Sequence, residues 1–125
     1  MKRPATPEIA LVEPAEGYDA EDLRWMARNW AVRIGVKMPT VQVRQMTTKW
    51  ASMSTAGRMS LNTDLLELPK PLTEFVIVHE LVHMLAPNHG KVFKCFMHAY
   101  LPDWEQREQQ LRRREMAALE KRALG

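Results

Sequence analysis

Three histidines and a glutamate carry the chemistry this chain can do. His79-Glu80-Leu81-Val82-His83 places two imidazoles at i and i+4, and His89 follows after five intervening residues. On a helix the first two lie on one face, about 6 Å apart at their Cβ atoms. Both rings then reach one zinc ion at about 2.0–2.1 Å. His89, from beyond the helix, closes a third corner of a tetrahedron and leaves the fourth open for water. Glu80, next to the first ligand, is placed to accept that water's proton.

The surrounding residues set the stage for such a site. From Phe75 to Leu85 the chain reads Phe-Val-Ile-Val-His-Glu-Leu-Val-His-Met-Leu. Apolar side chains cover every side, as in a buried helix. Its polar groups are His79, Glu80 and His83, and burying each without a partner costs roughly 1–3 kcal/mol. A metal and a water would satisfy all three together, whereas a lone buried histidine would need only one neighbouring hydrogen bond. Pro87 stops this helix, and Asn88 reads as the N-cap of another that runs to Tyr100. That reading puts His89 in the first turn, where the positive end of the dipole favours a neutral, metal-binding ring.

Around this centre the chain reads as α+β. Asp19-Ala20-Glu21-Asp22 resembles a helix start, and Leu23, Met26, Ala27, Trp30 and Ile34 keep helical spacing until Gly35 and Pro39. Residues 40–46 alternate as a strand, 49–54 form a second and 58–62 a third, with Ala56-Gly57 as a turn. A small three-strand meander is expected. A strand over Arg58–Asn62 would run along the cleft and offer its edge to an extended peptide. Residues 103–123 form a polar last helix, with Leu111, Met116 and Leu119 packing inward. Its Arg112-Arg113-Arg114 run reads as a solvated face that could also touch phosphate. Residues 1–18, with three prolines and Gly17, read as an irregular arm, and residues 19–125 as one domain.

Size and composition agree with that division. The chain has 125 residues, enough for one core. Hydrophobic residues make up 46% and charged residues 26%, so no disordered or membrane class is indicated. No apolar run suits a bilayer span or a secretory signal. Cys95 is the only cysteine, which rules out an intrachain disulfide, suits a reducing cytoplasm and reads as a small core residue. The net charge of +3 permits a polyanionic partner such as DNA without requiring one.

Lys49-Trp50-Ala51-Ser52-Met53-Ser54, Gly57-Arg58-Met59-Ser60-Leu61-Asn62, Val78-His79-Glu80-Leu81-Val82-His83, Asn88-His89-Gly90, Phe93 and Leu101-Pro102-Asp103-Trp104 occur in this order. Together they resemble the YgjP-like metallopeptidase family, which is related to the SprT-like and WLM zinc peptidase domains. The resemblance covers roughly residues 40–112. The histidine spacing also equals that of metzincins, but those carry Gly where this chain has Ala86. The YgjP-like likeness implies a minimal zincin-like fold, with a small antiparallel or mixed three-strand sheet packed on helices. It implies a zinc ion on His79, His83 and His89, with Glu80 as general base.

The expected function is therefore a zinc-dependent peptidase acting on peptide or protein substrates. Rival readings are a hydrolase of phosphate or nucleotide substrates on the same ion, and a zinc-stabilised nucleic-acid-binding module. In the last, Cys95 or His98 would be a fourth ligand. Trp50 is a candidate cleft residue. By type alone, Lys49, Arg58 and Tyr100 are candidates to stabilise an oxyanion. Asp64, Glu67 and Asp103 are candidates to orient a ligand histidine. Oligomeric state leaves no mark in the sequence.

Overall fold

The computed structural model describes residues 18–124, with side chains through residue 118. The arm expected over residues 1–18 lies outside the described residues except for Tyr18.

Asp19 starts the first helix, α1 (Ala20–Ile34), through a capping box. Its carboxylate accepts from the N–H groups of Glu21 and Asp22, and Asp22 returns a bond to the Asp19 N–H. Gly35 ends the helix at φ 84°, a left-handed turn that suits glycine. The inward stripe is Leu23, Met26, Ala27, Trp30, Ala31 and Ile34, matching the helical spacing of the sequence.

Strands β1 (Thr40–Arg44), β2 (Ala51–Met53) and β3 (Arg58–Asn62) form one sheet in the order β1-β3-β2. It is mixed, one of the two forms the family resemblance implies, and its order is not that of the expected meander. β1 pairs parallel with β3, and β2 pairs antiparallel with β3 across the Gly57 turn. The reason lies in Asn62, which is 4% exposed. Its amide donates to the carbonyls of Met46 (3.0 Å) and Lys49 (2.8 Å), and its backbone N–H donates to Trp50. These bonds carry the 45–50 segment past the end of β3, so β2 emerges on the far side. β3 is therefore central, and β2 rather than β3 is the edge strand that carries residues of the cleft.

A 3-10 turn (Thr63–Glu67), capped by the Asn62 side chain, leads into α2 (Lys70–Val82) with Pro71 in its first turn. Leu72, Phe75, Val76, Ile77, Val78, Leu81 and Val82 are all buried, so α2 is the central helix. It ends earlier than Leu85. His83 is its C-cap, and bonds from Met84 to Leu81 and from Leu85 to Val82 tighten the exit ahead of Pro87.

The next helix, α3 (Lys91–Tyr100), is capped by Gly90 with no side-chain bond, so Asn88 is not its N-cap. α3 buries Phe93 and Met97 but leaves Cys95 exposed, contrary to a core role for the thiol. The last helix, α4 (Trp104–Leu124), buries Trp104 and Leu111. Met116 is 59% exposed rather than packed inward, and the side chain of Leu119 lies outside the described residues. A polar junction fixes α4 on α1 and α2. The Arg107 guanidinium donates to Asp103, to the Pro71 carbonyl and to Glu74 Oε1 (2.9 Å), and Trp30 Nε1–H donates to Glu74 Oε2 (2.9 Å).

Candidate metal centre and cleft

The backbone bond from His83 N–H to the His79 carbonyl keeps helical geometry to the end of α2. The two imidazoles therefore sit one turn apart and meet edge to face, with ring centroids separated by 4.7 Å. His89, in the connection between α2 and α3, reaches back over them. Its Nε2 lies 3.2 Å from His79 Nε2. His89 precedes the Gly90 N-cap, so it is not in the first turn of α3 as the sequence suggests. One nitrogen from each of His79, His83 and His89 lies within 4.8 Å of the others.

This donor set fits a divalent metal. A tetrahedral ion with bonds of about 2.0–2.1 Å wants ligand nitrogens roughly 3.3 Å apart. The His79–His89 separation of 3.2 Å is already at that spacing. Among the described residues neither Cys95 nor His98 joins the cluster, so the protein offers three ligands. Three protein ligands with a fourth position open is the pattern of a catalytic rather than a structural site.

The surroundings define the ring nitrogens available. His83 Nδ1 faces the Ala86 carbonyl at 3.2 Å; as a donor there, it leaves Nε2 for the ion. A backbone carbonyl thus stands where a group that orients a ligand histidine would be needed. Asp103 is instead engaged with Arg107, and Asp64 contacts the Gln45 amide. Burial lowers the His83 pKa, and the neighbouring His79 adds to that effect; both favour the neutral ring that binds metal. Glu80 Oε2 stands 3.5 Å from His79 Nδ1, and its side chain is only 18% exposed.

Phe93, 2% exposed, forms the floor. Its ring lies 4.8 Å from His83, 4.8 Å from His89 and 5.3 Å from His79. The sequence marks Phe93 as part of the family resemblance, four residues after His89, but gives it no role. That its ring touches all three imidazoles depends on how α3 docks against α2.

A cavity of about 550 Å³ opens beside His79 and Glu80. Its lining comes from α2 (Phe75, Val76), from Ala51 of β2 with Trp50 just before it, and from α4. Trp50 is thus a cleft residue, and its Nε1–H donates to Glu115 Oε2 at 2.6 Å. The α4 contribution has no counterpart in the sequence reading. Lys49, Arg58 and Tyr100 do not line the cavity; the Tyr100 hydroxyl turns instead toward the Ile34 carbonyl at 3.5 Å.

Comparison with known proteins agrees with this architecture. The model of the YgjP-like metallopeptidase domain matches residues 10–114. Two solved structures share the fold. The metallopeptidase zymogen of Methanocaldococcus jannaschii, jannalysin, is 20% identical with a TM-score of 0.68, over 74% of this chain and 96% of that one. The metallopeptidase zymogen of Pyrococcus abyssi, abylysin, is 24% identical with a TM-score of 0.60, over 73% and 90%. No curated protein sequence matches the chain. Among the described residues no helix is long and apolar enough to cross a membrane.

Proposed function

The chain belongs to the YgjP-like metallopeptidase family, and we propose that its metal is zinc, held by His79, His83 and His89, with Glu80 as the general base. The observation that carries this reading is the convergence of three imidazole nitrogens within 4.8 Å, beside a partly buried carboxylate, at the wall of an open cavity.

When bound, zinc supplies a Lewis acid that polarises a scissile carbonyl and acidifies a water. The chain's own groups do the rest. Glu80 accepts a proton from the attacking water and delivers it to the departing amide nitrogen. The contact between His83 Nδ1 and the Ala86 carbonyl holds that ring in one tautomer and one orientation. The Phe93 ring keeps bulk water from beneath the imidazoles. An extended substrate runs beside β2, the edge strand whose first residue lines the cavity, and pairs with it through backbone groups.

The cavity lining favours a peptide over a phosphate ester. It offers one guanidinium, Arg112, against the carboxylates of Glu80, Glu108 and Glu115, the reverse of what a phosphate requires. The test is Glu80→Gln. The variant should keep one zinc per chain while losing hydrolysis of an unbiased peptide library by about 10²–10⁴-fold. Turnover equal to wild type would refute the assignment of Glu80.

A further inference from the structure

We propose that the cavity beside Glu80 is a side-chain subsite that selects a bulky apolar residue next to the scissile bond, with Leu111 and Met116 of α4 as its specificity-determining residues. This rests on the peptidase reading above.

The floor of the cavity is continuous with the catalytic pair. Phe75 and Val76 stand one helical turn before His79 and Glu80, on the same faces of α2. A residue flanking a bond attacked beside Glu80 therefore has an aromatic ring and a branched side chain directly under it. At about 550 Å³ the space lies within the roughly 300–1,000 Å³ of ordinary ligand pockets, enough for a large side chain and its neighbour.

The opposite wall is a single face of α4. Glu108, Leu111, Arg112 and Glu115 follow i, i+3, i+4, i+7 spacing, and Met116 lies beside them. Met116 is the only large apolar residue exposed in the described part of α4, and it lines this cavity. An unbranched thioether adapts to apolar partners of different shape. Trp50, bonded to Glu115, joins this wall to the sheet. The rim carboxylates discriminate against acidic side chains, since Arg112 is 70% exposed and meets Glu108 only at 3.4 Å. Glu115 and Met116 lie just past the residues that the family model matches, so family membership does not imply this part of the wall.

The experiment pairs cleavage with binding. Zinc-loaded wild type digests a peptide library, and the cut sites are read by mass spectrometry. Leu, Ile, Met and Phe should be enriched, and Asp and Glu depleted, at one position adjoining the cut bond. In matched peptides, Leu should exceed Ala there by about 10–100-fold in kcat/KM. Met116→Lys should reduce that Leu-to-Ala ratio about tenfold, and Met116→Leu should keep it. In a Glu80→Gln background, fluorescence anisotropy of the two labelled peptides should show the same change in relative affinity. Cleavage without an apolar preference overturns the subsite and leaves the peptidase reading standing. An unchanged ratio in Met116→Lys, with a folded, zinc-loaded variant, overturns the role of α4. If zinc-loaded wild type cleaves no peptide at all, the peptidase reading falls and the subsite falls with it.

Discussion

The Phe93 ring lies against the His83 imidazole with centroids 4.8 Å apart and planes 28° from parallel. The same ring meets His79 and His89 edge-on. One buried side chain of α3 thus sets the height and tilt of all three rings. Phe93→Ala removes that floor and leaves a cavity, which should destabilise the protein by about 3–5 kcal/mol. It should also weaken zinc binding by roughly 10–100-fold, as loss of a ligand's supporting groups does. Phe93→Leu should recover most of the stability but less of the affinity. Denaturant titration and competition with a chromophoric chelator measure the two effects. Unaltered zinc affinity in folded Phe93→Ala would show that the ring is packing only.

His83 makes the metal-free protein sensitive to acid. Its pKa lies below the ordinary value of 6.5, first because of burial and second because of His79. Above about pH 7.5 the ring is neutral in both folded and unfolded chains and contributes little pH dependence. Below that, the unfolded chain takes up a proton that the fold resists. Folding stability should therefore fall as pH drops, and level off once the folded ring is protonated too. Urea midpoints between about pH 7.5 and 5.5, compared with His83→Gln, isolate the effect. Equal slopes in both proteins would exclude His83 as its source. Zinc affinity should begin to fall only at the lower pH where the folded ring itself takes up a proton, because a ligand histidine must be neutral to bind.

Asn62 holds the sheet in its mixed order. Asn62→Ala loses two bonds to backbone carbonyls and the cap on Asp64 N–H. Leaving such groups unpaired costs roughly 1–3 kcal/mol each where they stay buried, so a loss of about 2–3 kcal/mol is expected. Asn62→Asp should fare little better, since a carboxylate cannot donate to the Met46 and Lys49 carbonyls. A midpoint within about 0.5 kcal/mol of wild type would mean that the 45–50 segment needs no such tie.

Glu74 joins three helices, accepting from Trp30 of α1 and Arg107 of α4. Glu74→Ala leaves Arg107, 12% exposed, without one of its two carboxylates. A cost of about 2 kcal/mol follows, below that of a fully buried pair because Glu74 is 31% exposed. Glu74→Gln keeps an acceptor and should cost less. Because α4 supplies one wall of the cavity, Glu74→Ala should also raise KM for peptides more than it lowers kcat. A change in kcat alone would argue that α4 is not held in place through this junction.

What the sequence determined by itself is local. The i, i+4 spacing of His79 and His83, the position of Glu80, the Asp19 helix start, the Gly35 stop and the Gly57 turn all follow from backbone geometry over a few residues. So do the strands at 40–44 and 58–62, where alternation is written in the residues themselves. Local signals also mislead at element ends. Asn88 has the chemistry of an N-cap, yet Gly90 takes that place, and α2 stops at Val82 although apolar residues continue to Leu85. The tertiary structure alone decided the rest. The parallel pairing of β1 with β3 depends on Asn62 reaching back 16 residues to Met46. The cleft wall depends on Trp50 meeting Glu115 across 65 residues. The Phe93 floor depends on one helix docking on another. Such contacts are set by which surfaces bury together, and no spacing along the chain encodes a distance between segments that far apart.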